Sequence, residues 1–247
     1  MLGKKSIIVS NWFTIGSPYE AVAHRNALTF EKAKSRPSSI GVEGTDDWAQ
    51  NCNLKPGVCV SLIDTLDPGE GALLLDADAT VEGLIPWREI TGRTGEGPGF
   101  AYVLHIRPSG AREVLSGTLW LTNTPECRAL VRKWAAKVAE HPLDWDQRSL
   151  GKVLGGHVSP MGGRQVRELD WHWAWIEGIT DRPREQAWIV HHQMSRQTKE
   201  KPSEDKAPPE QAPPEAQEQP KKRGKKAAGS PVEKSAGSPE PELGDNQ

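Results

Sequence analysis

The order of apolar runs predicts an α/β fold: a mostly parallel central sheet flanked by helices, then a tail with no core. Three observations carry the prediction. Strand-like and helix-like periods alternate up to residue 78. Residues 125–140 hold an amphipathic stripe with a clean start. From Lys199 to Gln247 there is no aromatic residue, and Val232 and Leu243 are the only aliphatics larger than Ala.

The first run, Ser6–Trp12, holds Ile7, Ile8 and Val9 and reads as a buried strand. Gly16-Ser17-Pro18 breaks it. Residues 19–33 read as a helix with Tyr19, Val22, Ala23, Ala27 and Phe30 on one side. Ser39–Val42 is a short second strand. Leu54, Val58, Leu62 and Leu66 recur every fourth residue, which predicts a second helix with Pro56 in its first turn. Asp67–Glu70 then turns the chain into Gly71–Leu75, an apolar strand ending in Asp76-Ala77-Asp78. Strand, helix, strand, helix, strand is the signature of a parallel sheet covered by helices.

Residues 92–99 are rich in Gly and read as a loop. Residues 100–106 and 118–122 read as strands around a Pro108-Ser109-Gly110 turn. The helix at 125–140 has Thr124 as cap, Pro125 at its first position, and Cys127, Val131, Trp134 and Val138 as its stripe. A further helix spans about 145–154. Ala187–Val190 reads as a last strand before His191 and His192.

All ten Trp precede residue 199, so residues 1–198 form the folded domain. The segment 199–247 holds nine of the 20 prolines and cannot offset its ordering entropy, so it is expected to be disordered. The whole chain has 31 basic and 33 acidic residues. That balance argues against a nucleic-acid-binding domain, leaving the KKRGKK run at Lys221–Lys226 as a weak nucleic-acid contact, an address signal or a solvated charge run. No run of about 18 apolar residues is present to span a membrane. Three cysteines without a CxxC spacing point to a reduced, cytoplasmic setting.

Asp76 and Asp78 are the first candidates for chemistry. Two-residue spacing sends both carboxylates to one side of an extended segment at the carboxyl end of a buried strand. Open α/β sheets bind ligands there, and two carboxylates suit Mn²⁺ or Mg²⁺. The alternative is a polar strand end turning into a loop. One of His191 and His192 is a candidate third ligand, since neighbours on a strand point oppositely; His191 is preferred. Asp144 with Gln147 fits a capping box, or else Asp146 and Gln147 project into a site. Asn51 and Lys55 sit four apart at a helix start, able to hold a phosphate and a ribose or base, or simply polar there. Arg196 is either a phosphate fork or a solvated side chain. Trp171, Trp173 and Trp175 would share one face of a strand, as pocket wall or as core.

Several segments, in order, resemble a family. They are Trp48-Ala-Gln-Asn51-Cys-Asn-Leu-Lys55-Pro56, LLLDADATV, Leu115-Ser-Gly-Thr-Leu-Trp-Leu-Thr-Asn-Thr124, Trp134, Asp146-Gln147 and IVHHQMSR. Over residues 6–198 the chain resembles the nucleotide-diphospho-sugar transferases of bacteria and their phages, which have the glycosyltransferase A fold. The resemblance implies a metal held by Asp76, Asp78 and His191. It implies a donor nucleotide near Asn51 and Lys55, and a sugar and acceptor near Ser116, Gly117, Asp146 and Gln147. No lysine-proline-tryptophan follows His191, as it does in the glycogenin-like group, so His192 stays a rival ligand.

The expected activity is metal-dependent transfer of a sugar from a nucleotide-diphosphate sugar to an acceptor the sequence does not name. A nucleotidyltransferase of the same fold is the nearest rival. The loop Thr14–Tyr19 has one Gly and no Lys or Arg, which disfavours it. A non-catalytic sugar- or nucleotide-binding protein is the other.

Overall fold

The structure, a computed structural model, describes residues 7–92, 97–155 and 166–194. Arg196, the Lys221–Lys226 run and the 199–247 segment expected to be disordered lie outside the described residues.

Strand β1 (Ile8–Thr14) leads into helix α1 (Pro18–Ala27), capped by the Ser17 hydroxyl, which accepts from the Tyr19 amide. The expected helix over 19–33 changes form at its end: residues Leu28–Ala33 are a 3₁₀ turn. There the Thr29 hydroxyl donates to the Asn26 carbonyl at 2.7 Å and accepts from the Val81 amide, drawing the backbone away from a regular helix. Strand β2 (Arg36–Val42) follows at the sheet edge, where Pro37 is tolerated. Helix α2 (Trp48–Cys52) was not visible in the apolar period, since it is one short turn held by Asp47, whose carboxylate accepts from Ala49 and Gln50. Helix α3 (Lys55–Asp64) precedes strand β3 (Gly71–Asp76) and strand β4 (Ala79–Val81). Helix α4 (Trp87–Thr91), strand β5 (Phe100–Ile106), strand β6 (Arg112–Thr122) and helix α5 (Pro125–Glu140) come next. Helix α6 (Asp146–Val153), strand β7 (Val166–Leu169), strand β8 (Trp175–Ile176) and strand β9 (Ile189–His191) complete the described chain.

The six-stranded sheet runs β2-β1-β3-β6-β5-β7. Strand β1 pairs parallel with β2 and β3, and β5 with β7; β6 enters antiparallel between β3 and β5. The chain leaves β1 toward β2 and returns to β3 on the other side. This reversal opens a crevice at the carboxyl ends of β1 and β3. Both sheet faces are covered, which is why β3 is apolar throughout. Ala72 and Leu74 face a core built with α3, α5 and α6, while Leu73 and Leu75 face a second core containing Phe30, Ile90 and Trp173.

Two irregular features complete the scaffold. Strand β6 is longer than the expected 118–122, and its pairing with β5 jumps from Tyr102↔Leu119 to Val103↔Leu115. Ser116, Gly117 and Thr118 therefore bulge beside the end of β3. The small sheet β4-β9-β8 sets His191 opposite Ala79, one residue beyond Asp78. The tryptophans at 171, 173 and 175 do not share a strand face: Trp171–Trp173 form a 3₁₀ turn begun by Asp170, and Trp175 starts β8. Trp173 is core, as its place in the second cluster shows.

Gly71 tests the packing of the sheet. A Cβ there would lie 2.2 Å from Cζ2 of the buried Trp120 indole. Gly71→Ala is expected to cost about 1–3 kcal/mol by overpacking, read as a lower denaturant midpoint at unchanged slope. An unchanged midpoint would mean that Trp120 is not locked against β3.

Candidate functional site

Lys55 is the first residue of α3 and is only 4% exposed. A cation at a helix N-terminus opposes the helix dipole, and burial adds a desolvation cost. Its surroundings offset both. The ammonium lies 2.8 Å from Asp76 Oδ1 and 3.1 Å from Asp146 Oδ2. It also donates to Ser116 Oγ at 3.1 Å and to the Ser116 carbonyl at 3.3 Å. The Trp12 ring centroid is 5.6 Å away. Burial pulls the Lys55 ammonium down, but Asp146 and then Asp76 outweigh it and hold the group charged well beyond the ordinary lysine range. Ser116 Oγ donates to Asp146 Oδ2 at 2.7 Å, closing the network.

Asp76 stands at the end of β3, in register with Trp12 of β1, whose indole donates to Asp76 Oδ1 at 3.0 Å. Oδ2 turns instead toward Gly117. A Cβ on Gly117 would sit 3.0 Å from Asp76 Oδ2 and 3.2 Å from His191 Nδ1, so the missing side chain is what lets the two groups face each other. His191 Nδ1 is 3.6 Å from Asp78 Oδ1, and its Nε2 is fixed by Thr118 Oγ1 at 2.9 Å. Asp78 also accepts from the Met194 amide. Burial pushes the Asp78 carboxyl up, yet His191 and the Met194 amide together hold it below the usual carboxylate range. His192 turns the other way, toward Thr80 Oγ1 at 3.0 Å and Glu177 at 3.5 Å. Strand alternation thus makes His191 the imidazole that faces the two carboxylates.

Two cavities meet at Asp76. One, of ≈ 340 Å³, lies over the carboxyl ends of β1 and β3 and is lined by Trp12, Tyr19, Trp48, Asn51, Lys55 and Asp78 among others. The second, of ≈ 470 Å³, holds Gly117, His191, Gln147, Glu113 and Arg107 around an apolar floor of Leu115, Ala174 and Ile176. Asn51 lines the first cavity, but its amide serves the loop before α2: Oδ1 accepts from the Thr45 amide at 2.7 Å and Nδ2 donates to the Thr45 carbonyl at 2.8 Å.

The expected capping box is absent. Trp145 is the N-cap of α6 and makes no side-chain cap, while Asp144 pairs with Arg148 and Lys152. Gln147 does project into the second cavity, donating to Glu113 Oε1 at 2.7 Å. Asp146 is 5% exposed and lies behind Lys55, away from both cavity walls. Ser116 is equally buried in that network, whereas Gly117 is on the wall. Sequence reasoning missed Trp12, Thr118, Arg107 and Glu113. Trp12 had a signal, since it ends the first strand where ligands gather; the others meet the site only through the bulge and turn of β6.

Among the described residues no three His, Cys, Asp or Glu side chains already stand as a metal-ligand group. The chemistry nonetheless fits: Asp76, Asp78 and Asp146 bring three negative charges against the single charge of Lys55, and an imidazole nitrogen faces Asp78. Gly117 leaves the space between Asp76 and His191 free of a Cβ. Thiolate chemistry at the two buried cysteines is disfavoured, as burial pushes the Cys127 thiol up to about 11 and Cys59 higher still.

Removing the buried cation exposes its role. Lys55→Met is expected to cost about 3–5 kcal/mol by stranding Asp146, and adding Asp146→Leu should recover part of that loss. Denaturant melts of the two single variants and the double variant measure it. Additive losses would show that the pair is not coupled.

No protein-family model and no curated protein matches the chain. Among the described residues no helix is long and apolar enough to cross a membrane. Among solved structures the chain is similar to a glycosyltransferase involved in the glycosylation of the major capsid of PBCV-1. The two share 13% identity and a TM-score of 0.54, over 75% of this chain and 92% of that one. At that identity the likeness is one of architecture: the chain has a glycosyltransferase-type α/β fold.

Proposed function

We propose that the chain transfers a sugar from a nucleotide-diphosphate sugar, with Mn²⁺ or Mg²⁺ held by Asp76, Asp78 and His191. The observation that carries the reading is the meeting of two cavities at Asp76. One is lined by aromatic rings at the sheet's switch point, and the other by polar side chains on an apolar floor. A base stacks against aromatic faces such as Tyr19 and Trp48, and a sugar fits the second cavity. The diphosphate then lies between them, over the carboxylates.

When bound, the cation supplies positive charge to the leaving diphosphate. The protein's own residues prepare for it. Lys55 pairs with Asp76 and aims it, and Thr118 fixes the face that His191 presents. Asp146 acts at one remove: it holds Lys55 and touches neither cavity, so it is a positioning residue. Gln147 is the member of the pair that reaches the sugar side. The nucleotidyltransferase rival is weakened at the loop after β1, where the Glu20 carboxylate already accepts from the Gly16 amide at 2.7 Å. A triphosphate would meet that negative charge.

Asp78→Asn tests the reading through binding as well as turnover. Calorimetry with uridine, guanosine and adenosine diphosphates is expected to show Mn²⁺-dependent binding of at least one. The variant should lose at least about tenfold, or about 1.4 kcal/mol. Release of that nucleoside diphosphate from its sugar conjugate should fall in parallel. Identical titrations for wild type and variant, with and without Mn²⁺, would remove the metal from the account.

A further inference from the structure

The second cavity does not end at the sugar side of Asp76. A third cavity of ≈ 280 Å³ adjoins it and shares three lining side chains with it: Arg107, Glu113 and Gln147. Pockets that take small molecules on their own run from about 300 to 1,000 Å³. The third space falls below that range, so it is an extension of the second.

The shared wall is a planar polar set. Arg107 donates through Nε to Glu113 Oε2 at 2.8 Å, its Nη2 lies 2.6 Å from the same oxygen, and Gln147 donates to Glu113 Oε1. The Arg107 side chain remains 56% exposed, leaving donors for a ligand. Beyond the wall stands Trp145, 47% exposed and lining the third cavity. Its position is pinned from behind. Its carbonyl accepts from the Arg148 and Ser149 amides at 3.1 and 3.2 Å, and the preceding Asp144 pairs with Arg148 and Lys152. An aromatic face beside planar donors and acceptors suits the C–H face and the hydroxyls of a sugar ring.

The charges say which kind of sugar. Among the described residues each arginine lining the third cavity has an acidic partner: Arg107 has Glu113, Arg112 has Glu168 at 3.2 Å, and Arg148 has Asp144 at 3.1 Å, which Lys152, outside the lining, shares. The arginines that line the groove are thus each matched by a carboxylate, which favours a neutral ligand over an acidic one.

We infer that the acceptor is a neutral oligosaccharide of two or more units, its reacting end at the Arg107–Glu113–Gln147 wall and its next unit against Trp145. The inference rests on the glycosyl-transfer reading above and adds the acceptor class.

The test uses the full chain labelled with 5-fluorotryptophan, the Trp145 resonance being assigned with Trp145→Phe. Mono-, di- and trisaccharides of glucose, galactose, mannose, rhamnose and N-acetylglucosamine are titrated, with oligogalacturonates as the acidic arm. At least one neutral series is expected to shift the Trp145 resonance and to bind at least about tenfold tighter as trimer than as monomer. Trp145→Ala should erase that length advantage, and Trp145→Phe should keep most of it. Three results would each overturn the inference: no length dependence in any neutral series, an advantage that survives Trp145→Ala, or binding of the oligogalacturonates alone. Uridine or guanosine diphosphate with Mn²⁺, followed at Trp12 and Trp48, reports the donor side separately. If the nucleotide binds while length dependence is absent, the acceptor class fails and the transferase reading stands. If oligosaccharides bind and no nucleoside diphosphate does, the transferase reading fails, and the inference with it.

Discussion

The ammonium of Lys55 lies between Asp76 of β3, Ser116 of β6 and Asp146 of α6, with the Trp12 ring of β1 close by. One buried charge thus ties together four elements drawn from distant parts of the chain. A lysine at the first position of a helix, out of water, is a poor choice for stability alone. Two carboxylates and a hydroxyl make it tolerable, and in return it fixes where Asp76 points. Because Lys55 occupies Asp76 Oδ1 together with the Trp12 indole, Oδ2 is the oxygen left toward Gly117 and His191.

The rest of the site depends on backbone irregularity. The bulge at Ser116–Thr118 sends Ser116 to Lys55 and Thr118 to His191, with Gly117 between them as bare backbone. Three adjacent residues thereby serve three different needs, which a regular strand with its strict alternation could not meet. The small sheet does the remaining work. Pairing β4 with β9 brings His191 to Asp78 across more than a hundred residues of chain.

Much of the fold was legible in the sequence because burial leaves a period. The apolar run of β3, the Thr124 cap and the stripe of α5 were plain, and Asp76 and Asp78 stood out as carboxylates at the end of a buried strand. What the period cannot carry is the identity of a polar atom's partner. Asp144 and Gln147 had the spacing of a capping box, yet Asp144 is drawn off by Arg148 and Lys152, and Gln147 by Glu113. Asp146 looked like a group facing a ligand, and in the structure it faces Lys55. Alternation along a strand says that only one of His191 and His192 faces the carboxylates, and the register of β9 against a strand far away is what makes it His191. Alternating tryptophans suggested a strand face where a 3₁₀ turn, begun by the Asp170 side chain, rotates them apart.

The three adjoining cavities and the carboxylates form one path along the carboxyl edge of the sheet, with Lys55 beside Asp76 where the first two meet. The most direct measurement is the titration of Lys55 itself, followed by NMR on the full chain with isotope-labelled lysine and assigned with Lys55→Arg. A lysine whose pKa is raised by folding contributes fully below its unfolded value near 10.4 and loses that contribution only as pH rises through the higher folded value. Lys55 is expected to stay charged after the surface lysines have titrated, its signal moving only with alkaline unfolding. Titration of Lys55 together with the surface lysines, or before them, would contradict the claim that Asp76 and Asp146 enclose it.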